Sequence, residues 1–166
     1  MTNAYFHIPQ PKNEPCRAYL PGSIEKAALK AELKKQSEQR ITIPLIIGGK
    51  EIYTEKTVPV VMPHDHQHVL ADCCLAGEKE LKMAIDAALA AKKEWEMMPW
   101  EHRAAIFLKA ADLLAGPYRD QLNAATMLGQ SKTAYQAEID SACELIDFLR
   151  YNTYFAEQIF TQQPEN

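Results

Sequence analysis

The sequence predicts an α+β fold that is mostly helical and contains a small sheet. After Gly77 the hydrophobic pattern changes from a period of about two residues, typical of strands, to about 3.6 residues, typical of helices. The two-glycine turn Gly48-Gly49 separates two of the β-branched runs that precede this change. No stretch alternates strands with helices over the length that a doubly wound parallel sheet needs.

The composition is that of an ordinary globular protein and excludes two classes of partner. A net charge of −4 and scattered lysines and arginines offer no basic surface for nucleic acid or for an acidic membrane. No apolar run approaches the length of a membrane span. We therefore expect neither a nucleic acid nor a membrane as a partner.

Residues 1–22 predict an extended arm that leads into a surface helix. Four prolines each remove a backbone donor and disfavour helix before them; they are Pro9, Pro11, Pro15 and Pro21. Ser23 is a suitable N-cap, so we expect a helix from residue 24 to about residue 39.

The small sheet is predicted over residues 43–76. Its candidate strands are the β-rich runs at residues 41–47, 51–53, 57–62 and 69–75. The glycine pair within this region is a hairpin signal. We therefore expect one antiparallel or mixed sheet.

Almost all of the chain after Gly77 predicts helix, in four segments separated at Pro99, at Gly116-Pro117 and at Gly129. The first three segments each have an apolar stripe at helical spacing. The stripes are Leu81, Ile85, Ala88 and Leu89; then Trp100, Ala104, Phe107, Leu108, Ala111 and Leu114; then Tyr118, Leu122, Ala125 and Leu128. The last segment, about residues 132–160, is the longest.

The last helix carries two apolar stripes. The main one is Tyr135, Ile139, Ala142, Ile146, Leu149, Ala156 and Phe160, and the second is Ala137, Glu144, Phe148, Tyr151 and Phe155. Glu144 thus lies among aromatic residues. Spacing alone leaves two interpretations open: a glutamate at the rim of a helix that reaches water, or a carboxylate near a cavity that meets a cation.

Motifs for phosphate binding and hydrolysis are absent from the sequence. It contains neither GxGxxG nor GxxxxGK[ST], and neither GxSxG nor HExxH. His64, His66 and His68 alternate as they would on one face of a strand, which makes a histidine metal site an alternative. They follow Met62-Pro63, however, and an exposed turn is the preferred interpretation, with no metal bound.

The four cysteines, Cys16, Cys73, Cys74 and Cys143, show no spacing typical of a disulfide framework. Reduced thiols in the cytoplasm are therefore expected. Cys143 has no nearby histidine or helix N-terminus in the sequence to activate it, so we interpret it as an inert small residue.

Several segments resemble one branch of the aldehyde dehydrogenases, the 1-pyrroline-5-carboxylate dehydrogenases. They are Asn13-Glu14-Pro15 and Pro21-Gly22-Ser23 with Glu25, the Gly48-Gly49 hairpin, residues 87–95 and 106–112, and residues 126–133, 136–140 and 144–148. The resemblance covers nearly the whole chain, and the arm and the last three segments carry its most specific part. It implies that residues 23–166 form the helical layer and small sheet of an NAD-binding domain, in the N-terminal part of a longer protein.

The resemblance also implies the activity of the longer protein: oxidation of glutamate γ-semialdehyde to glutamate in proline breakdown, with NAD accepting the hydride. A cysteine thiolate would attack the aldehyde, an asparagine and a backbone amide would hold the oxyanion, and a glutamate would assist hydrolysis. None of the four cysteines here matches that nucleophile's motif. We therefore expect no catalytic and no cofactor-binding residue in this chain, no activity and no tight NAD binding by it alone.

One residue role is carried over by the resemblance. Glu144 matches the glutamate that approaches the amino end of the substrate. We further expect a homo-oligomer, and self-association of the chain through the apolar surface that a missing domain would cover. A stand-alone helical interaction module is the other alternative that the sequence leaves open.

Overall fold

The computed structural model describes residues 5–162, in which seven helical segments surround two small sheets. The helices are α1 (Ile24–Ser37), α2 (Glu78–Met97), α3 (Trp100–Ala115), α4 (Arg119–Gln130), α5 (Ala134–Ala137), a π-helical stretch called the π turn (Glu138–Cys143), and α6 (Glu144–Thr161). The strands are β1 (Ile41–Ile43), β2 (Leu45–Ile47), β3 (Lys50–Ile52), β4 (Thr57–Met62) and β5 (Asp65–Cys74). The predicted fold class, mostly helical with little sheet, is confirmed.

The strands form two sheets instead of one. β1 pairs in parallel with β5, which pairs antiparallel with β4, whereas β2 and β3 form a separate hairpin. Pro44 divides the predicted strand 41–47, because it has no N–H to give to a ladder. Gly48 and Gly49 close the hairpin with φ of +58° and +75°, the left-handed conformation that a tight hairpin turn requires.

The helices begin and end close to the predicted positions. Ser23 caps α1, since its Oγ accepts a hydrogen bond from the Lys26 N–H at 3.3 Å. Pro99 separates α2 from α3 as expected, and Trp95 of α2 packs edge-on against Phe107 of α3. Within the described part of the chain, no helix is both long and apolar enough to cross a membrane.

The buried apolar core is small and lies in two places. One cluster joins Tyr19 of the arm to Leu29 of α1 and Ala124 of α4, and the other joins α3, the π turn and α6 through Ala111, Ala142 and Ile146. Helix α2 contributes no buried residue. Its predicted stripe faces outward, with Leu81 59%, Ile85 51% and Leu89 65% exposed.

The stripe predicted for α4 is not the face that this helix buries. Tyr118 and Ala125 are exposed and Leu122 is half-buried. The buried residues are mostly polar: Arg119, Asn123, Ala124 and Thr126. Buried polar groups need partners, and here the partners come from the arm and the π turn, which sequence periodicity does not reveal.

The π turn changes the phase of the last helix. A π turn adds one residue to a helical turn, so the stripes before and after it are displaced by roughly 100°. Tyr135, predicted on the main stripe, is therefore 67% exposed, and Ala137, predicted beside Glu144, is fully buried on another face. Downstream of the π turn the phase is as predicted, with Ile146 buried and Phe148 and Phe155 exposed.

Candidate functional site

A buried carboxylate, Glu138, lies at the start of the π turn and is fully enclosed. Tyr19 Oη donates to its Oε2 at 2.7 Å, Asn123 Nδ2 donates to the same oxygen at 2.7 Å, and the Arg17 N–H donates to Oε1 at 2.6 Å. Arg119 donates from both Nε and Nη2. The carboxylate thus receives charged and neutral donors on both oxygens, as a buried charge requires.

Arg119 is the cation of this site and joins three segments of the chain. Besides Glu138, its Nη1 binds Glu14 Oε1 at 2.5 Å and its Nη2 donates to the Pro15 carbonyl oxygen at 2.8 Å. Arg150 of α6 binds the other oxygen of Glu14 at 2.6 Å. We call Glu14, Tyr19, Arg119, Asn123 and Glu138 the arm cluster, because together they fasten the arm to α4 and the π turn.

The protonation states of the arm cluster follow from these contacts. Burial opposes ionisation of Glu138, but hydrogen bonds from Arg119, Arg17 and Tyr19 outweigh burial and lower the pKa of its carboxyl group. The pKa of Glu14 is lowered in the same way by Arg150 and Arg119. Burial and the adjacent Glu138 carboxylate raise the pKa of the Tyr19 phenol, which therefore remains a donor.

Two further acids of α6 also hold the arm. Asp147 accepts hydrogen bonds from the Asn13 side chain and from the Glu14 N–H, each at 2.7 Å. Glu157 accepts from the Ile8 N–H at 2.7 Å, and His7 Nδ1 lies 2.7 Å from its other oxygen. The arm therefore lies along α6 through polar contacts.

Glu144 differs from every other acid of the π turn and α6. Asp140 of the π turn binds Lys132 at 2.8 Å, and the remaining acids hold the arm or Arg119. Glu144 is exposed, and its side chain forms no hydrogen bond or ion pair within residues 5–162, whereas its backbone N–H donates to the Ile139 carbonyl oxygen. It is the first residue of α6, on the same face as Phe148 and Tyr151 by helical spacing. An unpaired carboxylate beside aromatic side chains can receive a cation.

A groove between α3 and α6, of about 310 Å³, lies next to this face but is not lined by Glu144. Its walls are mostly apolar and include the aromatic residues Trp100, Phe148 and Phe160. The Arg103 guanidinium lies over the Trp95 ring at 6.0 Å from the centroid. Such cation–aromatic contacts are typical of packing between helices as well as of ligand sites.

The histidine cluster does not form a metal site. His64 lies in the turn before β5, and its Nδ1 is 2.7 Å from Ser131 Oγ. His68 lies in β5, and its Nε2 is 2.7 Å from the Ser37 carbonyl oxygen. The rings therefore bind different neighbours. Residues 5–162 contain no group of three metal-ligating side chains.

The N-terminus of α2 follows a strand and a glycine, as a dinucleotide site would, but its chemistry does not fit a phosphate. The Glu80 carboxylate occupies the N-terminus and accepts the Gly77 N–H at 2.9 Å. That backbone contact lowers the pKa of Glu80, which holds a negative charge there. Helices α1, α3 and α4 also begin with an acid in the first turn. Each of these four helix N-termini thus has an acidic residue in its first turn.

A model of the aldehyde dehydrogenase family matches residues 52–165 of the chain. The chain belongs to the aldehyde dehydrogenase family. Within this family it is similar to proteins named delta-1-pyrroline-5-carboxylate dehydrogenase. The one from Agaricus bisporus is 48% identical over 162 residues, which are 97% of this chain and 30% of the relative. The human one, named as mitochondrial, is 47% identical over 152 residues, 92% of this chain and 27% of the relative.

Solved structures of aldehyde dehydrogenases match the fold of the chain as well. The delta-pyrroline-5-carboxylate dehydrogenase of Mycobacterium tuberculosis bound with NAD superposes with a TM-score of 0.96 at 46% identity, covering 99% of this chain and 31% of that one. The Thermus 1-pyrroline-5-carboxylate dehydrogenase with bound NAD gives a TM-score of 0.81 at 29% identity, covering 95% and 29%. The predicted resemblance is confirmed, and the chain spans less than a third of the length of these relatives.

Sequence reasoning proposed Glu144, whose role stays a prediction, and missed the arm cluster. The segments that carried the family resemblance include Glu14 and Glu138, yet nothing in their spacing indicates that Glu138 is buried and Glu14 half-buried. One signal was present: Arg119 and Asn123 are four residues apart, which places two polar side chains on one face of α4. A polar face opposite the apolar stripe is normally solvated, so this signal is weak without the fold.

Proposed function

We propose that this chain is the N-terminal part of an NAD-dependent dehydrogenase that oxidises glutamate γ-semialdehyde to glutamate. The observation that carries the proposal is 46–48% identity to the relatives from Agaricus bisporus, human and fission yeast over at least 92% of the chain. NAD as cofactor is supported by the two NAD-bound structures that share the fold. The reaction takes a hydride from the aldehyde carbon and adds a water oxygen to give the carboxylate.

The part of the reaction that this chain performs is substrate binding, through Glu144. Glutamate γ-semialdehyde has an α-ammonium group, or a ring nitrogen in its cyclic imine, at the end remote from the aldehyde. Glu144 is the acid of α6 whose side chain no neighbour neutralises among residues 5–162. Phe148 and Tyr151 share its helix face and would lower the dielectric beside it once the rest of the full-length protein covers that face. A carboxylate there would orient the substrate and discriminate against aldehydes that lack the cation.

Catalysis and the cofactor are assigned to residues outside this chain. Cys143 is 5% exposed, and burial raises the pKa of its thiol to about 12, whereas a nucleophile needs the thiolate. The N-termini of α1, α2, α3 and α4 carry acidic residues, whereas a dinucleotide phosphate would need positive charge there. We therefore propose that the chain alone neither binds NAD tightly nor oxidises aldehydes.

The test of substrate binding uses the full-length protein that carries this segment. Removing one partner of a desolvated charge pair costs about 2–5 kcal/mol, so Glu144→Ala should lower kcat/KM for glutamate γ-semialdehyde by more than about tenfold. Glu144→Gln keeps the shape and tests the charge. Asp140→Asn is the matched control, because this acid is exposed nearby but already paired with Lys132.

A neutral aliphatic aldehyde of similar length distinguishes a binding role from a structural one. The Glu144 variants should retain most of their activity on this aldehyde, which has no cation to lose. Equal loss on both substrates would show that Glu144 is structural, and the proposed role would be wrong.

A calorimetric titration tests the cofactor proposal on the chain alone. We expect no heat of binding with NAD at micromolar concentrations, and no NADH formation on adding an aldehyde. An affinity in the micromolar range would contradict the proposal and would require a nucleotide site among these residues.

Two further properties belong to this proposal. The four free thiols suit a reducing compartment, and we propose the cytoplasm, although the human relative is named mitochondrial. Fluorescence microscopy of the tagged full-length protein would decide between them. Homo-oligomer formation is proposed for the full-length protein, and sedimentation velocity would measure it.

A further inference from the structure

Two cysteines that are far apart in the sequence meet at the arm cluster. Cys143 ends the π turn, and Cys16 lies in the arm. The Cys16 thiol contributes to the raised pKa of Cys143, which indicates that the two side chains are neighbours. Both thiols are free in the structure. The two thiols are thus reduced and lie near each other, although the sequence spacing gave no reason to pair these residues.

The backbone on both sides of Cys16 is held against the atoms that contact Cys143. The Pro15 carbonyl oxygen and Cys143 Sγ are bound to the same nitrogen, Nη2 of Arg119, at 2.8 and 3.4 Å. The Arg17 N–H and Cys143 Sγ both contact Oε1 of Glu138, at 2.6 and 3.9 Å. Cys16 is therefore restrained beside Cys143 by two independent contacts.

The two thiols differ in access to solvent. Cys16 is exposed, whereas Cys143 is buried. Burial, the neighbouring Cys16 and Glu138 raise the pKa of the Cys143 thiol to about 12. A solution oxidant therefore meets Cys16 first, and Cys143 is held behind it as a protonated thiol.

We propose that Cys16 and Cys143 are an oxidation site at which a peroxide closes an intramolecular disulfide between the arm and the π turn. In the first step the Cys16 sulfur attacks a peroxide oxygen, the O–O bond breaks, and a sulfenic acid and water form. In the second step Cys143 gives up its proton to the departing hydroxyl group and attacks the Cys16 sulfur as the thiolate, so that the hydroxyl group leaves as water. Two thiols and one hydrogen peroxide thus give one disulfide and two waters.

The cross-link would add a covalent bond between the arm and the π turn, which polar contacts alone join in the reduced chain. A disulfide constrains the unfolded chain more strongly when it closes a long loop, and this one joins the arm to the last helical segment. It would also fix the residue immediately before Glu144. The proposal does not depend on the proposed enzymatic function, since it concerns only the thiols of this chain.

The test oxidises the purified chain with a small excess of hydrogen peroxide, blocks remaining thiols in denaturant, and maps the peptides without reduction. We expect the thiols of Cys16 and Cys143 to disappear together and one peptide pair, joined at these residues, to appear. The thermal midpoint of the oxidised chain should rise by about 5 °C or more, and dithiothreitol should reverse the rise.

Two variants make the result specific. Cys16→Ser, a substitution at an exposed position that should not impair folding, should abolish the cross-link, and Cys73→Ser should leave it unchanged. The proposal would be overturned by Cys16 joined to Cys16 of a second molecule, or by Cys16 joined to Cys73. Oxidation of Cys16 to a sulfinic acid while Cys143 is still recovered as a blocked thiol would overturn it as well.

Discussion

Helix α2 and the π turn differ in which of their residues are exposed and which are buried. Helix α2 has a regular apolar stripe, yet Leu81, Ile85 and Leu89 face solvent and no residue of this helix is buried. The π turn, by contrast, fully buries the charged Glu138 against Arg119. In one region apolar surface is left outside, and in the other an ion pair is inside.

The difference shows that an amphipathic stripe indicates a surface suited to burial, not that this part of the chain buries it. The arm shows likewise that burial of a charged residue depends on partners from elsewhere in the chain. Docking of the arm supplies donors and acceptors from Arg17, Tyr19 and Glu14, so that the buried charges of Glu138 and Arg119 both have hydrogen-bond partners. The arm cluster and the α2 stripe should therefore respond very differently to substitution.

The largest effect is expected from breaking the ion pair of the arm cluster. Glu138→Ala removes the fully buried carboxylate partner of Arg119 and leaves only Glu14 beside that buried charge, which should lower the free energy of unfolding by about 3–5 kcal/mol. Urea denaturation followed by circular dichroism measures this loss. If the variant is already unfolded without urea, the double variant Arg119→Met with Glu138→Leu should recover folded protein, because it removes both charges.

The matched control is Asp72→Asn, which breaks the ion pair between Arg40 and Asp72. That pair also has two contacts, both of 2.7 Å, but it is exposed. Exposed ion pairs contribute little, so this variant should shift the urea midpoint much less. Equal shifts for Asp72→Asn and Glu138→Ala would mean that burial of the arm cluster does not determine its contribution.

The dependence of stability on pH should be the next largest effect. The pKa of Glu138 is lower in the folded chain than its ordinary value of 4.5. Its contribution is therefore fully present above about pH 4.5 and is lost as the pH falls through the folded value. Urea midpoints between neutral pH and pH 3 should show a steeper fall for the wild-type chain than for Glu138→Gln.

The control for this pH series is Glu96→Gln, at an exposed position on α2. Its urea midpoints should follow those of the wild-type chain at every pH. If Glu138→Gln also keeps the wild-type slope, Glu138 is not the ionised partner of Arg119, and the electrostatic account of the arm cluster is wrong.

The smallest effect on stability is expected from substitutions in the apolar stripe of α2. Replacing both Leu81 and Leu89 by Gln should change the free energy of unfolding by no more than about 0.5 kcal/mol per site, because both side chains are already exposed. The same replacement should reduce the self-association of the chain, since it interrupts the apolar stripe. Light scattering over a range of protein concentrations measures this self-association.

Ile24→Gln provides the control for self-association. Ile24 is 86% exposed but lies at the start of α1, away from the α2 stripe. This variant should associate like the wild-type chain. A wild-type chain that remains strictly monomeric at high concentration would contradict the prediction that the α2 stripe drives association.

Local sequence signals predicted most of the elements. Ser23, Pro99 and the Gly48-Gly49 pair act through their own backbone chemistry, so the cap of α1, the break after α2 and the hairpin were found. The division of the sheet was missed, although Pro44 gave a local reason for it. The role of Glu144 came from the family resemblance and stays a prediction, since no contact within the described residues tests it.

What the sequence by itself determined is the order and kind of the elements and the family to which they belong. Which faces are buried was decided by the tertiary structure. The stripe of Leu81, Ile85 and Leu89 specifies an apolar surface but not which part of the protein packs against it. Glu138 has no special feature in the sequence, and only Arg119 and the arm enclose it. Burial of a charge depends on partners that are distant in sequence, and such partners meet only in the folded chain.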